Sequence, residues 1–411
     1  MNRGLSIEQQ LGRIYLHDHS PSAYAELAAR VGTDALLDAC MTEKVWLDVS
    51  NQLTLAGVNL SDKVKAAIDQ FRHSIREVQA LNLDAIDGAL LLKGAALARR
   101  YGQNHERYFA DIDIGVMSEN QFWKFREVLA EANYQLAGAV VYGKDPSGSY
   151  QVASMRLAPD SDLENGFAVE VQLGGFPLDR YGYLPFELCS GRMAAVRFGS
   201  RTLQTPDASA TFLILLAEYV SQSEITLRDL YDVISVLAAE DLDVPWVADQ
   251  VRKNALHRSL GQIRSAAAKF EYALPENFQR ICADSQSTWR LQSLERQRWW
   301  HVIQWVTRKV QPGRTLQVLA LMWLRGVTSK LAEGGVDAVL LKWTEWRNLA
   351  RSLSELGYPI YLIPIPTQEA HPGWASTGRS WILGTSSGSF LASPNGFVTD
   401  DELAAFGSPE A

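Results

Sequence analysis

The chain has 411 residues, 47% of them apolar and 21% charged, which is ordinary soluble usage and length enough for two or three domains. Its 39 basic and 47 acidic residues give a formal charge of -8, so no basic stripe marks a nucleic-acid binder, although a local patch can survive inside an acidic total. Three scattered cysteines (Cys40, Cys189, Cys282), a polar N-terminus without a signal-peptide core and the lack of a span-length apolar run lead us to expect a soluble cytoplasmic protein.

Helices are expected from residue 21 to 88. The segments Pro21 to Ala29 and Asp34 to Cys40 are rich in alanine and leucine, and Ser61-Asp62 caps the clearest helix. Val64, Ala67, Ile68, Phe71, Ile75 and Val78 make its apolar stripe. Ala89 to Leu92 reads as a short buried strand, Lys93-Gly94 as a turn, and Ala95 to Tyr101 as the start of a helix. A polar connection, Gly102 to Phe109, leads to a strand in which Asp111 and Asp113 alternate with Ile112, Ile114 and Val116.

Ser118 caps a helix running to Ala132. Strands follow at Tyr134 to Tyr142 and Tyr150 to Leu157, about a turn from Gly143 to Gly148. The run from Phe167 to Leu173 has a period of two, with Glu170 and Gln172 opposite the apolar side. Pro206-Asp207 opens a return to helix, restarted near Thr226 and continuing to about Leu331, with a break at Gln311-Pro312-Gly313. A helix from Val336 to Leu356, strands at Ile360 to Ile365 and Ser380 to Leu391, and a turn at Ser393 to Gly396 close the chain. The resulting divisions are 1–88, a helical region; 89–205, a core with the chemistry; 206–333, a helical domain; and 334–411, a small α/β unit.

Two carboxylates at i and i+2 on a strand can reach one hard cation, and Mg²⁺ favours a few carboxylates plus phosphate oxygens. A lysine and the backbone N–H groups of a strand-to-helix turn suit a polyphosphate. Asp111 and Asp113 therefore supply one half of a site and Lys93-Gly94 the other, and the simplest chemistry joining them is metal-assisted nucleotidyl transfer. Glu170 is either a third site carboxylate or a solvated outward residue. Arg107 either faces phosphates or holds the connection by a salt bridge. Arg228 and Asp232, at i and i+4, either contact a ligand or form a helix-surface ion pair. The tryptophans between 289 and 346 sit mostly at helical intervals and read as core rather than as a stacking platform. His17, His19, His257, His301 and His371 are dispersed and suggest no zinc site.

Lys93-Gly94 with Leu97, then Tyr101, Arg107 and Asp111-Ile112-Asp113, resembles the little-characterised bacterial nucleotidyltransferase family of the polymerase-β-like superfamily, from about residue 25 to 240. The resemblance implies an α+β fold: a small mixed sheet with flanking helices, embedded in a largely helical chain. It implies Mg²⁺ or Mn²⁺ on Asp111 and Asp113, an NTP as substrate, and Glu170 as the third acid, binding a second metal or taking the acceptor's proton. Lys93, Gly94, Ala95 and Arg107 would meet the nucleotide phosphates, with Arg228 and Asp232 on the helical side. Arg228-Asp229-Leu230-Tyr231-Asp232 is also similar to a helical motif of abortive-infection nucleotidyltransferase toxins. Ala95 replaces the superfamily's usual serine or glycine, and Gln172 stands where close relatives often carry histidine. The implied acceptor is a small molecule or peptide; RNA or protein as acceptor, or a non-catalytic binding module, are the alternatives.

Overall fold

The computed structural model describes residues 5–81, 88–102, 105–144, 151–163, 167–177, 183–222, 224–254, 256–285, 360–365, 372–376 and 381–393. The tryptophan-rich stretch from 289, the break at 311–313, the helix expected at 336–356 and most of the turns expected at 143–148 and 393–396 lie outside these residues. Two compact units divide the chain. One is Met1–Val116 with Asn165–Glu170 and Gly175–Ser287; the other is Met117–Glu164 with Val171–Gly174 and Thr288–Ala411.

The first unit opens with α1 (Ile7–Arg13), α2 (Pro21–Val31), α3 (Thr33–Thr42), α4 (Trp46–Leu55) and α5 (Asp62–Ala80). Ser6, Ser20 and Ser61 cap α1, α2 and α5 by accepting from backbone N–H groups, and Pro21 takes the first position of α2, where a missing N–H costs nothing. A π-helical turn, Ile14–Asp18, follows α1 and ends at His19 in the left-handed region, with φ +44. In α5 the stripe buries Ile68, Phe71 and Val78, while Ala67 stays exposed.

Next come β1 (Leu90–Leu92), α6 (Lys93–Ala98) and β2 (Asp111–Val116). The second unit then contributes α7 (Glu119–Glu131), β3 (Tyr134–Leu136), β4 (Val140–Lys144) and β5 (Gln151–Pro159). The segment expected as one strand from Tyr134 to Tyr142 is two, parted at Gly138, whose φ of +109 only glycine adopts without strain. Strand β6 (Ala168–Leu173) follows, with residues 168–170 in the first unit.

The rest of the first unit is β7 (Gly175–Pro177), β8 (Tyr183–Pro185), β9 (Met193–Phe198), β10 (Arg201–Pro206), α8 (Ala208–Ser221), α9 (Leu227–Leu237), α10 (Val244–Lys253), α11 (His257–Lys269) and α12 (Glu276–Asp284). Its sheet runs β6-β2-β1-β10-β9. Strand β1 lies antiparallel to β2 and parallel to β10, and β10 lies antiparallel to β9, so the sheet is mixed. The fold class is the α+β arrangement expected.

In the second unit β11 (Ile360–Ile365), β12 (Gly373–Ser376), β13 (Trp381–Thr385) and β14 (Gly388–Ser393) form a sheet in the order β12-β13-β14-β11-β4-β5. The run expected as one strand from 380 to 391 is a hairpin, and β11 pairs antiparallel with β4. Trp123 and Arg126 of α7 pack on the Phe390 ring. Among the described residues no helix is long and apolar enough to cross a membrane.

Candidate active site

The middle of the first unit's sheet sets the chemistry. In the β1–β2 ladder Leu92 faces Asp113 and Leu90 faces Gly115, so the residue that follows Leu92 leaves the strand beside Asp113. That residue is Lys93, at φ +39, a left-handed conformation that an L side chain adopts only at some cost. The turn carries its ammonium to 3.2 Å from Asp113 Oδ1 and 4.2 Å above the Phe176 ring. The contact is an ion pair rather than a directed hydrogen bond, and Asp113 Oδ1 is buried without a hydrogen-bond donor.

The strand is more enclosed than its alternation suggests. Only Asp111 among residues 111–116 is partly exposed, and Asp113 is buried along with the apolar residues. The sequence pattern describes one apolar face and one polar face; the structure covers both, which makes Asp113 a costly residue to keep ionised.

Glu170 lies on β6, the strand next to β2. Burial, then the nearby Asp113 and Asp111 charges, push its carboxyl up to about 7, with Lys93 pulling the other way. Asp113 is also held above the ordinary carboxylate range, by burial and then by Asp111, against the pull of Lys93. A fourth acid, Glu218 on α8, is raised by burial and by Asp113 and lowered by Lys93. For Lys93 burial works against the charged form, but Asp113, Glu218 and Glu170 outweigh it and keep the ammonium firmly protonated. Asp111, Asp113, Glu170 and Glu218 therefore share one electrostatic environment around Lys93. The sequence reading omitted Glu218. Its signal was the one charged residue in the helix ASATFLILLAEYVS.

Gly94 and Ala95 are buried in the short helix α6. A Cβ on Gly94 would meet Phe109 Cβ at 2.9 Å and an Arg107 guanidinium nitrogen at 3.1 Å, so glycine here admits the connection that leads into β2. Ala95 likewise sits in the packed interior, at 8% exposure.

That connection, residues 105–109, has no regular backbone structure and is anchored by its side chains. Arg107 donates from Nε and from one terminal nitrogen to the two oxygens of Asp232, both at 2.7 Å, and Tyr101 donates its hydroxyl to Asp232 Oδ1 at 2.8 Å. Glu106 accepts from Arg72 at 3.0 Å and from Asn51. Phe109 packs edge-on against Phe71 and Phe167. His105 Nδ1 lies 2.8 Å from Asp48 Oδ2.

The i, i+4 pair of Arg228 and Asp232 does not form. Asp232 is taken by Arg107 and Tyr101, while Arg228 turns to Asp229 at 2.8 Å. Asp229 also completes the capping box of α9 with Thr226, and Glu43 accepts from the backbone N–H of Leu227 at 2.8 Å. The structure thus brings Lys93, Asp111, Asp113 and Glu170 together. Arg107 with Asp232, and Arg228 with Asp229, form two separate ion pairs. His19 and His105 converge on Asp48, which the dispersal of histidines along the sequence did not suggest.

Residues 69–270 match the family described as uncharacterised nucleotidyltransferase. A solved structure described as an antigenic nucleotidyltransferase-like protein from Paracoccidioides brasiliensis is similar at 14% identity, covering 49% of this chain and 97% of its own, with a TM-score of 0.24. No curated protein matches the sequence.

Proposed function

We propose that this chain, whose residues 69–270 match the family described as uncharacterised nucleotidyltransferase, transfers a nucleoside monophosphate from an NTP, accompanied by Mg²⁺ or Mn²⁺, to a small-molecule or peptide acceptor. The observation that carries the proposal is the set of four acids, Asp111, Asp113, Glu170 and Glu218, gathered about Lys93. Burial holds three of them above their ordinary range. Lys93 pulls on all three, and Arg107 and Arg228 pull on Asp113 and Glu218 respectively, but both arginines are paired elsewhere, with Asp232 and Asp229, so the negative charge is only partly offset.

The donors fit a hard divalent cation: all are carboxylate oxygens, and Asp113 Oδ1 is buried with no hydrogen bond. Asp111 and Asp113 would hold it. When bound, such an ion neutralises phosphate oxygens and lowers the barrier to displacement at phosphorus.

The chain's own groups do the rest. Lys93 offsets charge on the phosphates, and the Phe176 ring beneath its ammonium limits access of water to that side. Glu170, near half ionisation at neutral pH before ligands enter, accepts the acceptor hydroxyl's proton. The acceptor oxygen forms a bond to the α-phosphorus, the α–β P–O bond breaks, and pyrophosphate departs. Arg107 and Asp232 act by fixing the connection that aims β2, and Arg228 lines the same side. Ala95 supplies no hydroxyl, so backbone N–H groups and Lys93 carry the contacts to phosphate. A net charge of -8 favours a small or peptidic acceptor over RNA.

The test is incubation of the protein with each labelled NTP and Mg²⁺ or Mn²⁺, with mass spectrometry of the products. Pyrophosphate release that disappears in Asp111→Asn and Asp113→Asn supports the reading. Absence of metal-dependent nucleotide binding in calorimetry refutes it and leaves a non-catalytic module. Labelled RNA or protein as the product, with growth arrest on expression, moves the acceptor to the toxin class.

A further inference from the structure

We propose that His19, Asp48 and His105 ligate a divalent transition-metal ion, zinc by the chemistry of the donor set, at a site separate from the four acids. The three residues come from three parts of the first unit: the end of the π-helical turn, the first turn of α4 and the connection before β2. One ligand atom from each lies within 4.8 Å of the other two.

The spacing suits zinc. Nitrogen and oxygen ligands about 2.0–2.1 Å from a tetrahedral ion lie about 3.3 Å from one another. His19 Nε2 is 3.5 Å from Asp48 Oδ1, and His105 Nδ1 is 2.8 Å from Asp48 Oδ2. The two values, one to each oxygen of the Asp48 carboxylate, bracket that separation. The imidazoles are stacked with centroids 3.3 Å apart and present their nitrogens to the same carboxylate. The two imidazoles are borderline donors of the kind zinc favours, and with one hard carboxylate they differ from the all-oxygen set around Lys93 and leave a fourth position open.

The surroundings are those of a built site. Asp48 is 1% exposed, and its Oδ1 receives no hydrogen bond. Hydrogen bonding alone therefore leaves one oxygen of a buried carboxylate unsatisfied, which costs free energy that a cation would recover. The other ring nitrogen of His19, Nδ1, lies 2.8 Å from the Tyr24 hydroxyl, which fixes the ring plane, while Nε2 faces Asp48 with the Gln52 amide nitrogen 3.3 Å away, a contact that an ion would displace. The Tyr15 ring meets both imidazoles edge-on, and Tyr231 closes over His105 at 4.4 Å. An ion here would tie the N-terminal helices to the segment that aims Asp111 and Asp113, giving it a structural role with no part in the transfer.

The test uses the full chain, stripped with a chelator and titrated with Co²⁺ and Zn²⁺. Wild type is expected to take up one Co²⁺ with the visible bands of a four- or five-coordinate imidazole site, and Zn²⁺ is expected to displace it and raise Tm. Asp111→Asn with Asp113→Asn should keep both responses. His19→Gln and His105→Gln should lose the bands and the Tm response. Tyr24→Phe should keep the shape of the bands but weaken Zn²⁺ binding by about 10- to 100-fold. If a histidine variant fails to fold, X-ray absorption at the zinc edge of the Asp111→Asn, Asp113→Asn protein decides: imidazole scatterers support the site, and a shell of oxygens alone overturns it. Bands that survive in both histidine variants, or a folded wild type that takes up no Zn²⁺, also overturn it.

Discussion

Arg107 and Asp232 stand 125 residues apart in sequence and meet through two parallel 2.7 Å bonds, both side chains almost wholly buried. Removing one partner strands the other charge in the interior, which costs about 3–5 kcal/mol. Arg107→Met and Asp232→Leu should each lower stability by that order in urea unfolding. The double variant should recover much of the loss, because it removes both charges together.

The pH dependence of Glu170 has a definite sign. Its folded carboxyl sits at about 7 against an ordinary 4.5, so between those values the folded protein binds a proton that the unfolded chain has released. Stability contributed at this position therefore falls as pH rises from about 4.5 to about 7 and stays low above it. In chelator, Glu170→Gln should be more stable than wild type at pH 8 by roughly 3 kcal/mol. The difference should vanish near pH 4. A constant difference across that range would remove the electrostatic account.

Glu218 was invisible as a site residue in the sequence, yet its field reaches Lys93, Asp113 and Glu170. Glu218→Gln removes negative charge without changing shape. Calorimetry should then show Mg²⁺ or Mn²⁺ binding weakened by about tenfold, equivalent to about 1.4 kcal/mol. Unchanged metal affinity would restrict Glu218 to packing.

Gly94→Ala tests the turn. The added methyl would press on Phe109 Cβ at 2.9 Å and on the Arg107 guanidinium. Overpacking of this kind costs about 1–3 kcal/mol. The displaced connection should also depress pyrophosphate release by more than the lost stability explains, measured at a temperature where the variant remains folded.

Much of this arrangement was legible because short-range rules govern it. Ser61, Ser118 and Asp207 cap helices where side-chain chemistry says they should. The Asp111 and Glu170 strands form where their period-two patterns place them, although burial on them does not alternate. The hairpin of β9 and β10 was not read, because MAAVRF and RTLQTP alternate weakly and their value lies in pairing β10 with β1. The burial of Asp113 was hidden because strand periodicity reports one face and says nothing of what covers the other. Partners such as Asp232 for Arg107, or Asp48 for His105, are set by tertiary packing, and i, i+4 reasoning on α9 pointed to the wrong neighbour for Arg228.

The irregular segment before β2 also bears on how the enzyme is made. Its anchors are Asp48 on α4, Arg72 on α5 and Asp232 on α9, contacts of widely differing sequence separation. Loop closure over more than a hundred residues makes such contacts late and slow to form. During synthesis the aspartate strand is complete once Val116 is made, but its lead-in is not locked until α9 has emerged and docked. The nascent chain therefore carries these carboxylates for the whole stretch from Val116 to Leu237 before it can hold them in order.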